Sequence, residues 1–503
     1  MSRPVFPCRS GGRLACAACL LAAVACTTDP GPALRDAVPD LDRRAGLEPG
    51  SLSAIGEHPW DRPDDRWDGA SPLAGTLAVD LAVANNRALR RVLLEVERRR
   101  ALVRDAQLAP NPTLNFAGGI PVDMGVVPLL AMVGQQVDWL WKRDALVGDA
   151  DAQLRGLLFE AAAVAVATAT EARSAYVSAA AAQEIDELAR RDAEVASRIL
   201  QASIAAFEAG DVTQQRVNDA RMNAAEAQNR AMEATTGLIE ARTRLLLAMG
   251  RGDAPSGWVT VDTGAQAARQ ALALPDAPLP DGHDAVVALV RERRLDLRAA
   301  EARVTGARAR LALAEAARIP SVMLGAGWER DMEDDQAVML QAQVTLPIWN
   351  DGRFRVDAAR HDLEIALLDA DDLWQRAVTD TVRALAAVAA TEHHAAVLRE
   401  ATLAAYQDNK AVLQAAVDAG ERPAMALWTS EHQENHIRIQ LAKAQRDRAL
   451  ATLALERTLA GARLPAMGAA TPMASDPGGS MGMGGGGLGP VQTFDFAALE
   501  TMQ

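Results

Sequence analysis

The sequence predicts a mainly α-helical protein with a small β part, in which one helix–hairpin–helix unit occurs twice. Long stretches rich in Ala, Leu, Glu and Arg have the spacing of helices. Two shorter patches alternate apolar and polar residues, which is typical of strands. The same order of patterns returns after about 208 residues, the separation of Pro112 from Pro320, and this repetition indicates an internal duplication.

The amino-acid composition excludes some classes of function. The 503 residues include 52 Lys and Arg against 66 Asp and Glu, a net charge of −14 that argues against a nucleic-acid partner. Aromatic residues make up only 4%, so a large aromatic core is not expected. Every Cys lies within the first 26 positions, which excludes thiol chemistry from the body of the protein.

Residues 1–25 have the pattern of a signal peptide. Arginines near the start precede an apolar run of 12 residues, Leu14 to Ala25, which is too short to cross a bilayer. The run ends at Cys26 in a sequence that resembles a bacterial lipobox, so we expect Cys26 to be lipidated. Ordinary cleavage after Ala25 is the alternative. Thr27, in place of Asp, favours sorting of such a lipoprotein to the outer membrane.

The duplication sets the expected domain boundaries. Gly210 matches Gly420, and Gly250 matches Gly461, at offsets that drift by only a few residues along the half. The expected segments are a lipidated N-terminal arm or linker (26–74), a first repeat (75–252), an inter-repeat linker (253–282), a second repeat (283–462) and a disordered Gly- and Met-rich tail (463–503).

Each repeat contains one predicted pair of strands, with one apolar and one polar face. The predicted strands cover about 113–121, 128–141, 321–329 and 336–348. The polar residues expected to face a lumen are Gln136, Asp138, Gln341, Gln343 and Thr345. The tryptophans expected to form an aromatic belt at the membrane surface are Trp139, Trp141, Trp328 and Trp349. The alternative is a pair of soluble hairpins that pack on helices.

Very long helical patterns follow each hairpin. They cover about 144–208 and 212–248 in the first repeat, and about 353–418 and 423–460 in the second. Such helices have no core of their own and need partners. Four strands cannot close a barrel, so a membrane-inserted chain must oligomerise, and three copies would supply twelve strands.

These features resemble the outer-membrane efflux family typified by TolC, over about residues 75–462. The matching motifs are Asn111-Pro112 at a helix end, Leu295-Asp-Leu297 at a helix start, Ile319-Pro320, the strand exit Val344-Thr-Leu-Pro-Ile-Trp-Asn-Asp-Gly-Arg353, and the glycines Gly210 and Gly420. The Leu-Pro-Ile-Trp stretch followed by Gly-Arg is the most specific of them.

The resemblance implies a homotrimer that forms a 12-stranded outer-membrane β-barrel, continued by a long periplasmic α-helical barrel. Its partners would be outer-membrane lipid, a periplasmic adaptor and an inner-membrane pump of RND or ABC type. Gly210, Asp211, Gly420 and Glu421 would form the two periplasmic tip turns. Members with a constricting carboxylate ring carry aspartates six and nine residues after the second turn glycine, where this chain has Ala426 and Thr429.

We therefore expect no enzyme and no cofactor, but a passive exit duct in the outer membrane of a Gram-negative bacterium. The cargo could be a heavy metal, such as copper or silver, or a drug. A type I secretion duct and a periplasmic coiled-coil scaffold lipoprotein are the alternatives. The tail methionines that could bind soft metal ions are Met467, Met473, Met481 and Met483. His432 and His436 lie one helical turn apart, but no third metal ligand is evident.

Overall fold

A computed structural model describes residues 28–29, 31–39, 41–45, 66–118, 128–255, 257–272, 282–331 and 335–461. The signal peptide, Cys26 and the methionines of the tail lie outside the described residues. The predictions made for them stay predictions.

Helices account for most of the described residues. The N-terminal arm has two short helices, α1 (Leu34–Ala37) and α2 (Leu41–Ala45). The first repeat contains α3 (Gly75–Asn85), α4 (Arg87–Gln107), α5 (Trp139–Glu208) and α6 (Gln214–Ala248), followed by α7 (Gly264–Leu272). The second repeat contains α8 (His283–Arg293), α9 (Leu295–Ala316), α10 (Arg353–Val397), α11 (Ala404–Asp418) and α12 (Ala424–Leu459).

The two repeats have the same order of elements. A long helix enters a hairpin, and a second, longer helix leaves it and ends at a glycine turn. The longest, α5, has 70 residues and extends over about 105 Å at 1.5 Å per residue. Its counterpart is interrupted, because a π-helical turn at Leu398–Leu403 separates α10 from α11.

The strands are β1 (Thr113–Gly118), β2 (Leu129–Gln136), β3 (Val322–Arg330) and β4 (Gln336–Val344). Within the described residues they form one antiparallel sheet in the order β1-β2-β3-β4. The central pairing of β2 with β3 joins the two repeats, and Val133 lies opposite Ala326. The sheet is therefore a product of both halves of the chain.

The strand boundaries correct the prediction at two ends. After β2, Asp138 takes a helical conformation and its carboxylate lies 2.6 Å from Lys142 Nζ, an i,i+4 pair of the helix that follows. The alternation of polar and apolar residues from Gln136 to Trp139 continues past the end of β2 into the start of α5, so the period-two pattern made the predicted strand too long. β4 ends before Pro347, since proline has no N–H to donate to a neighbouring strand.

The main core lies where the arm, both repeats and α7 meet. Its largest fully buried side chains include Trp67 and Trp258, which contact edge to face at a ring separation of 5.7 Å. Tyr176 of α5 donates a hydrogen bond to Asp262 Oδ2 at 2.7 Å and so ties α5 to the segment before α7. Among the helices of the described residues, α5 alone contains an 18-residue window apolar enough to cross a membrane, and 67% of that window is buried inside the protein.

Candidate functional site: the sheet and the helix turns

The sheet has a continuous apolar face. The strand register places these side chains together: Leu114, Phe116, Leu129, Ala131, Val133, Val322, Leu324, Ala326, Trp328, Val338, Leu340, Ala342 and Val344. Polar side chains on this face, such as Gln135 and Arg330, lie toward strand ends. The pattern is that of a strand surface made for contact with an apolar medium.

The apolar face is exposed rather than packed on the helices. Leu340 is 85% exposed, Val338 80% and Phe116 68%. A soluble hairpin that packs on helices would bury these side chains, because their exposure to water is unfavourable. The exposure therefore favours a partner outside the protomer over the alternative of soluble hairpins.

The opposite face is more polar. Gln136, Gln341 and Gln343 lie on it, as the alternation predicts, together with Thr113 and Asn115. Its centre is less exposed than the apolar face, since Met132 is only 9% exposed. That this face lines a lumen stays a prediction.

Two of the residues expected to face the lumen lie elsewhere. Asp138 is outside β2, buried and paired with Lys142 at the start of α5. Thr345 follows the end of β4, where its N–H still donates to Ser321 O at 3.1 Å. Neither belongs to a strand, so the prediction that they lie on strands is wrong.

The four tryptophans do not share one kind of position. Trp328 lies on the apolar face, opposite Val338 and Ala131. Trp349 lies beyond β4 and is 95% exposed. Trp139 and Trp141 lie in the first turn of α5 and not at a strand end, because the helix begins at residue 139. Their role in an aromatic belt stays a prediction.

The two glycine turns have the same hydrogen bonds. Gly210 has φ of 80° and donates to Phe207 O at 2.9 Å, and Asp211 N–H donates to Ala206 O at 2.9 Å. Gly420 has φ of 74° and Glu421 repeats the second bond, to Ala416 O at 2.9 Å. These are Schellman helix ends, which need a left-handed residue that glycine adopts without strain.

Both turns are open to solvent. A Cβ atom added at either glycine would have no neighbour within 4 Å, and Asp211 and Glu421 are exposed. Ala426 and Thr429, at the positions of the carboxylate ring in some TolC-like channels, lie in the first turns of α12. The turns therefore offer a free surface, and the expectation that they form a periplasmic tip stays a prediction.

A buried ionic cluster links the two repeats, and no sequence pattern indicated it. Asp192 of α5 is 1% exposed, accepts from Arg230 of α6 at 3.3 Å and lies 2.7 Å from Nδ1 of His432 of α12. His436 instead lies beside Gln440, with 3.0 Å between Nε2 atoms. The two imidazoles thus have different partners.

A second buried acid lies between α5 and α12. Burial raises the pKa of Glu456 to about 7, although the Arg173 and Arg293 guanidinium groups oppose this shift. Burial likewise lowers the pKa of Arg173, which donates to Ala45 O and so holds α2 of the N-terminal arm against α5.

Each repeat also holds its last glycine near the start of its hairpin-entering helix. Asn85 donates through Nδ2 to Met249 O at 2.9 Å, and Gly250 lies so close that a Cβ there would be 2.9 Å from Asn85 Cβ. In the second repeat Gly461 lies against Asp296. The matching offsets of these residues in the sequence could have indicated the contact.

The N-terminal arm runs back to the base of the sheet. Asp29 N–H donates to Gln107 Oε1 at 2.8 Å, and Gln107 Nε2 donates to Asp29 O at 3.0 Å. Arg100 holds the next segment through Pro32 O at 3.0 Å. Gln107 ends α4, just before β1, so Cys26 is three residues from a point beside the sheet.

Comparisons with known proteins agree with this architecture. Residues 286–461 match the family model described as outer membrane efflux protein. The structure of CusC is similar with a TM-score of 0.61 at 18% identity, over 76% of this chain and 91% of that one. A membrane protein from Pseudomonas aeruginosa gives a TM-score of 0.61 at 22% identity, over 76% and 91%.

The outer membrane channel CmeC from Campylobacter jejuni gives a TM-score of 0.57 at 15% identity, over 76% of this chain and 85% of that one. The search of curated protein sequences found no match. The predicted resemblance to TolC-like proteins is confirmed by the family model and by the fold.

Proposed function

From the outer membrane efflux protein domain that residues 286–461 carry, we propose that this chain is the passive outer-membrane exit duct of a tripartite efflux system. The observation that carries the proposal is the exposed apolar face that runs across all four strands, backed by a polar face. The long helices lead away from this sheet to the turns at Gly210 and Gly420. No chemistry is required of the duct, and the family and fold are those of channel proteins.

Closure of the duct requires further copies of the chain. The sheet has β1 and β4 at its edges, and an open edge in a bilayer would leave backbone groups without hydrogen bonds. Pairing β4 of one copy with β1 of the next removes every edge, and three copies of this four-stranded sheet give twelve strands. A homotrimer is therefore the assembly that we propose.

The lengths of β3 and β4 suit this assembly. β3 and β4 each have nine residues, which is the length that a tilted strand needs to cross the hydrocarbon layer. In the trimer the apolar face would meet lipid and the face with Gln136, Gln341 and Gln343 would line the lumen. The helices would continue the conduit through the periplasm.

The arm supports a lipid anchor at Cys26. The mutual hydrogen bonds of Asp29 and Gln107 hold the arm beside the base of the sheet, where the inner leaflet of the outer membrane would lie. One acyl anchor binds a membrane weakly, and the inserted sheet would supply the second contact. We propose that the protein is anchored by both.

A passive duct has no energy source of its own, so it needs partner proteins that supply the energy for export. We propose that the two glycine turns dock on a periplasmic adaptor, which connects the duct to an inner-membrane pump of RND or ABC type. A heavy metal or a drug is the proposed cargo. A type I secretion duct has the same fold and would differ in its partner.

The test uses a charge on one face of β4 and a matched charge on the other. Leu340→Arg places a guanidinium on the apolar face, where it should cost about 2–4 kcal/mol near the bilayer midplane and prevent insertion. Gln341→Arg, on the next residue and the opposite face, should leave insertion intact. Heat-modifiable trimer bands and outer-membrane fractionation report the result.

Imaging of single particles from detergent-solubilised outer membranes completes the test. A threefold tube with a β-barrel at one end is the expected result. Membrane insertion of both arginine variants, or a monomeric rod recovered without detergent, would contradict the proposed duct. The periplasmic scaffold lipoprotein would then be the remaining alternative.

A further inference from the structure

The polar face of the sheet carries three methionines among its glutamines and glycines. Met132 lies on β2, Met323 on β3 and Met339 on β4. The strand register puts Met132 and Met339 on either side of Gly327, in one row across the sheet. Met323 lies in a second row on the same face, between Gln136 and Gln343.

Two of the thioethers converge on one pair of glycines. Gly134 and Gly325 lie opposite each other on β2 and β3. The Sδ atom of Met323 would be 3.2 Å from a Cβ at Gly134, and the Sδ atom of Met132 would be 3.6 Å from a Cβ at Gly325. Each sulfur therefore leans over the glycine of the opposite strand, and the two approach the pair from opposite sides.

The glycines are what allows this arrangement. A side chain at Gly134 would also be 2.9 Å from Thr113 Oγ1, so an alanine there could not keep the present packing. Thr113 Oγ1 in turn lies 4.0 Å from Met323 Sδ, close enough for a weak hydrogen bond to sulfur. The result is a small, largely buried patch with sulfur on both sides and an oxygen at its edge.

The donor set selects one class of ligand. Thioethers are soft ligands that favour Cu(I) and Ag(I) over Zn²⁺, Mg²⁺ or Ca²⁺. Among the strand residues that the structure describes on this face, Glu329 is the one carboxylate, and it lies near the far end of β3. Neutral thioether donors hold a monovalent ion weakly, which is what passage through a conduit requires.

We propose that the polar face of the sheet is a transient binding surface for Cu(I) or Ag(I), formed by Met132 and Met323 with Met339 in the adjacent row. This inference rests on the proposed function, because the face lines a conduit only in the trimer. A soft monovalent metal ion would then be a substrate class of the duct. The threefold assembly would repeat the surface around the lumen.

The test compares sulfur removal on the sheet with sulfur removal elsewhere. Both variants are made in the full chain after the tail methionines are replaced: Met467→Leu, Met473→Leu, Met481→Leu, Met483→Leu and Met502→Leu. The sheet variant is Met132→Leu, Met323→Leu, Met339→Leu. The control is Met222→Leu, Met232→Leu on α6, where both side chains are exposed. Leu has nearly the volume of Met, so the packing should be retained.

Assembly is checked first, by heat-modifiable trimer bands and outer-membrane fractionation. Ag(I) retained per trimer is then measured by mass spectrometry after gel filtration at a series of Ag(I) concentrations. We expect the sheet variant to bind Ag(I) at least tenfold more weakly than its parent, and the control to bind as its parent does.

The outcomes separate the two proposals. Intact trimers that bind Ag(I) equally with and without the sheet methionines would overturn this inference but would not contradict the proposed duct. A parent protein that forms no trimer in the outer membrane would overturn the duct, and this inference with it. X-ray absorption spectroscopy of Ag(I) bound to the parent protein should show sulfur atoms among the neighbours of the silver ion. A silver ion surrounded by oxygen and nitrogen alone would also overturn the inference.

Discussion

The longest helix of each repeat occupies the same place in the duplication, yet the two differ sharply in burial. α5 buries much of its length, including nearly every residue of the stretch 161–169, against α4, α6, α9 and α12. α10 buries few residues and exposes large apolar side chains such as Phe354, Ile365 and Leu368. Duplication of a sequence unit thus does not give its copies the same environment.

The difference teaches where each helix lies in the protomer. α5 is the central helix, whereas α10 contacts α9 and α12 and leaves one side free of protomer contacts. A large exposed apolar side is typical of a surface that another molecule covers, and the proposed trimer would place a second copy there. The comparison therefore supports the assembly that the open edges of the sheet require.

The largest effect is expected from charges on the exposed side of α10. Ile365→Asp, Leu368→Asp should abolish the trimer, because two carboxylates would be buried without partners between copies. The helix content of the chain should persist, since both side chains are exposed in the protomer. Cross-linking and gel filtration in detergent measure the assembly. The conservative pair Ile365→Val, Leu368→Met should keep the trimer, and an Asp variant that stays trimeric would refute this interface.

The second-largest effect is expected from removal of the buried carboxylate of α5. Asp192→Ala leaves Arg230 and His432 without their shared partner and should lower the free energy of unfolding by about 3–5 kcal/mol. The matched change on α10, Asp372→Ala, breaks an exposed pair with Arg376 and should cost less than about 0.5 kcal/mol. Denaturant unfolding followed by circular dichroism gives both values. Equal losses would mean that burial does not distinguish the two helices.

Enlarging a small residue tests the packing directly. Ala165 of α5 is fully buried, so Ala165→Leu should cost about 1–3 kcal/mol through overpacking. Ala386 of α10 is exposed in the protomer, and Ala386→Leu should have a smaller effect on the protomer. Thermal unfolding of the two variants provides the comparison, which would fail if Ala386→Leu proved the more damaging.

The smallest expected effect depends on pH. Burial raises the pKa of Glu456 to about 7, above its ordinary value, so the folded state holds this proton more tightly than the unfolded state does. Its contribution to stability is present at low pH and is lost as the pH rises through 7. Glu456→Gln should therefore be more stable than the parent at pH 8.5, on the order of 2 kcal/mol, and similar to it at pH 5.

Melting temperatures at the two pH values measure this effect. The control variant is Glu301→Gln, at an exposed position of α9. A Glu456→Gln variant that follows the parent at both pH values would show that Glu456 is not held protonated.

Much of the fold could be predicted from the sequence because its signals are local. Proline and glycine at Pro112, Pro320, Gly210 and Gly420 mark helix ends, and the period-two alternation identifies the faces of β3 and β4. The end of β2 was missed because the alternation of polar and apolar residues from Gln136 to Trp139 continues into the start of α5.

The buried contacts could not be predicted for a different reason. Asp192 and His432 are 240 residues apart in the sequence, and each on its own has the pattern of a solvated helix face. Only the packing of α5 against α12 brings them together. The contact of Asp296 with Gly461 likewise joins the two ends of one repeat.

The arm contact at Gln107 has a consequence for membrane thickness. Asp29 is the third residue after Cys26, and an extended chain of that length spans at most about 11 Å. Acyl chains on Cys26 would therefore enter the inner leaflet beside the start of β1, while a nine-residue strand such as β3 extends about 30 Å. The arm would then hold one rim of the proposed barrel at the lipid surface. In the proposed duct, a bilayer thicker than the strands would therefore have to thin around the protein, because the short arm would hold one end of the strands at the lipid surface.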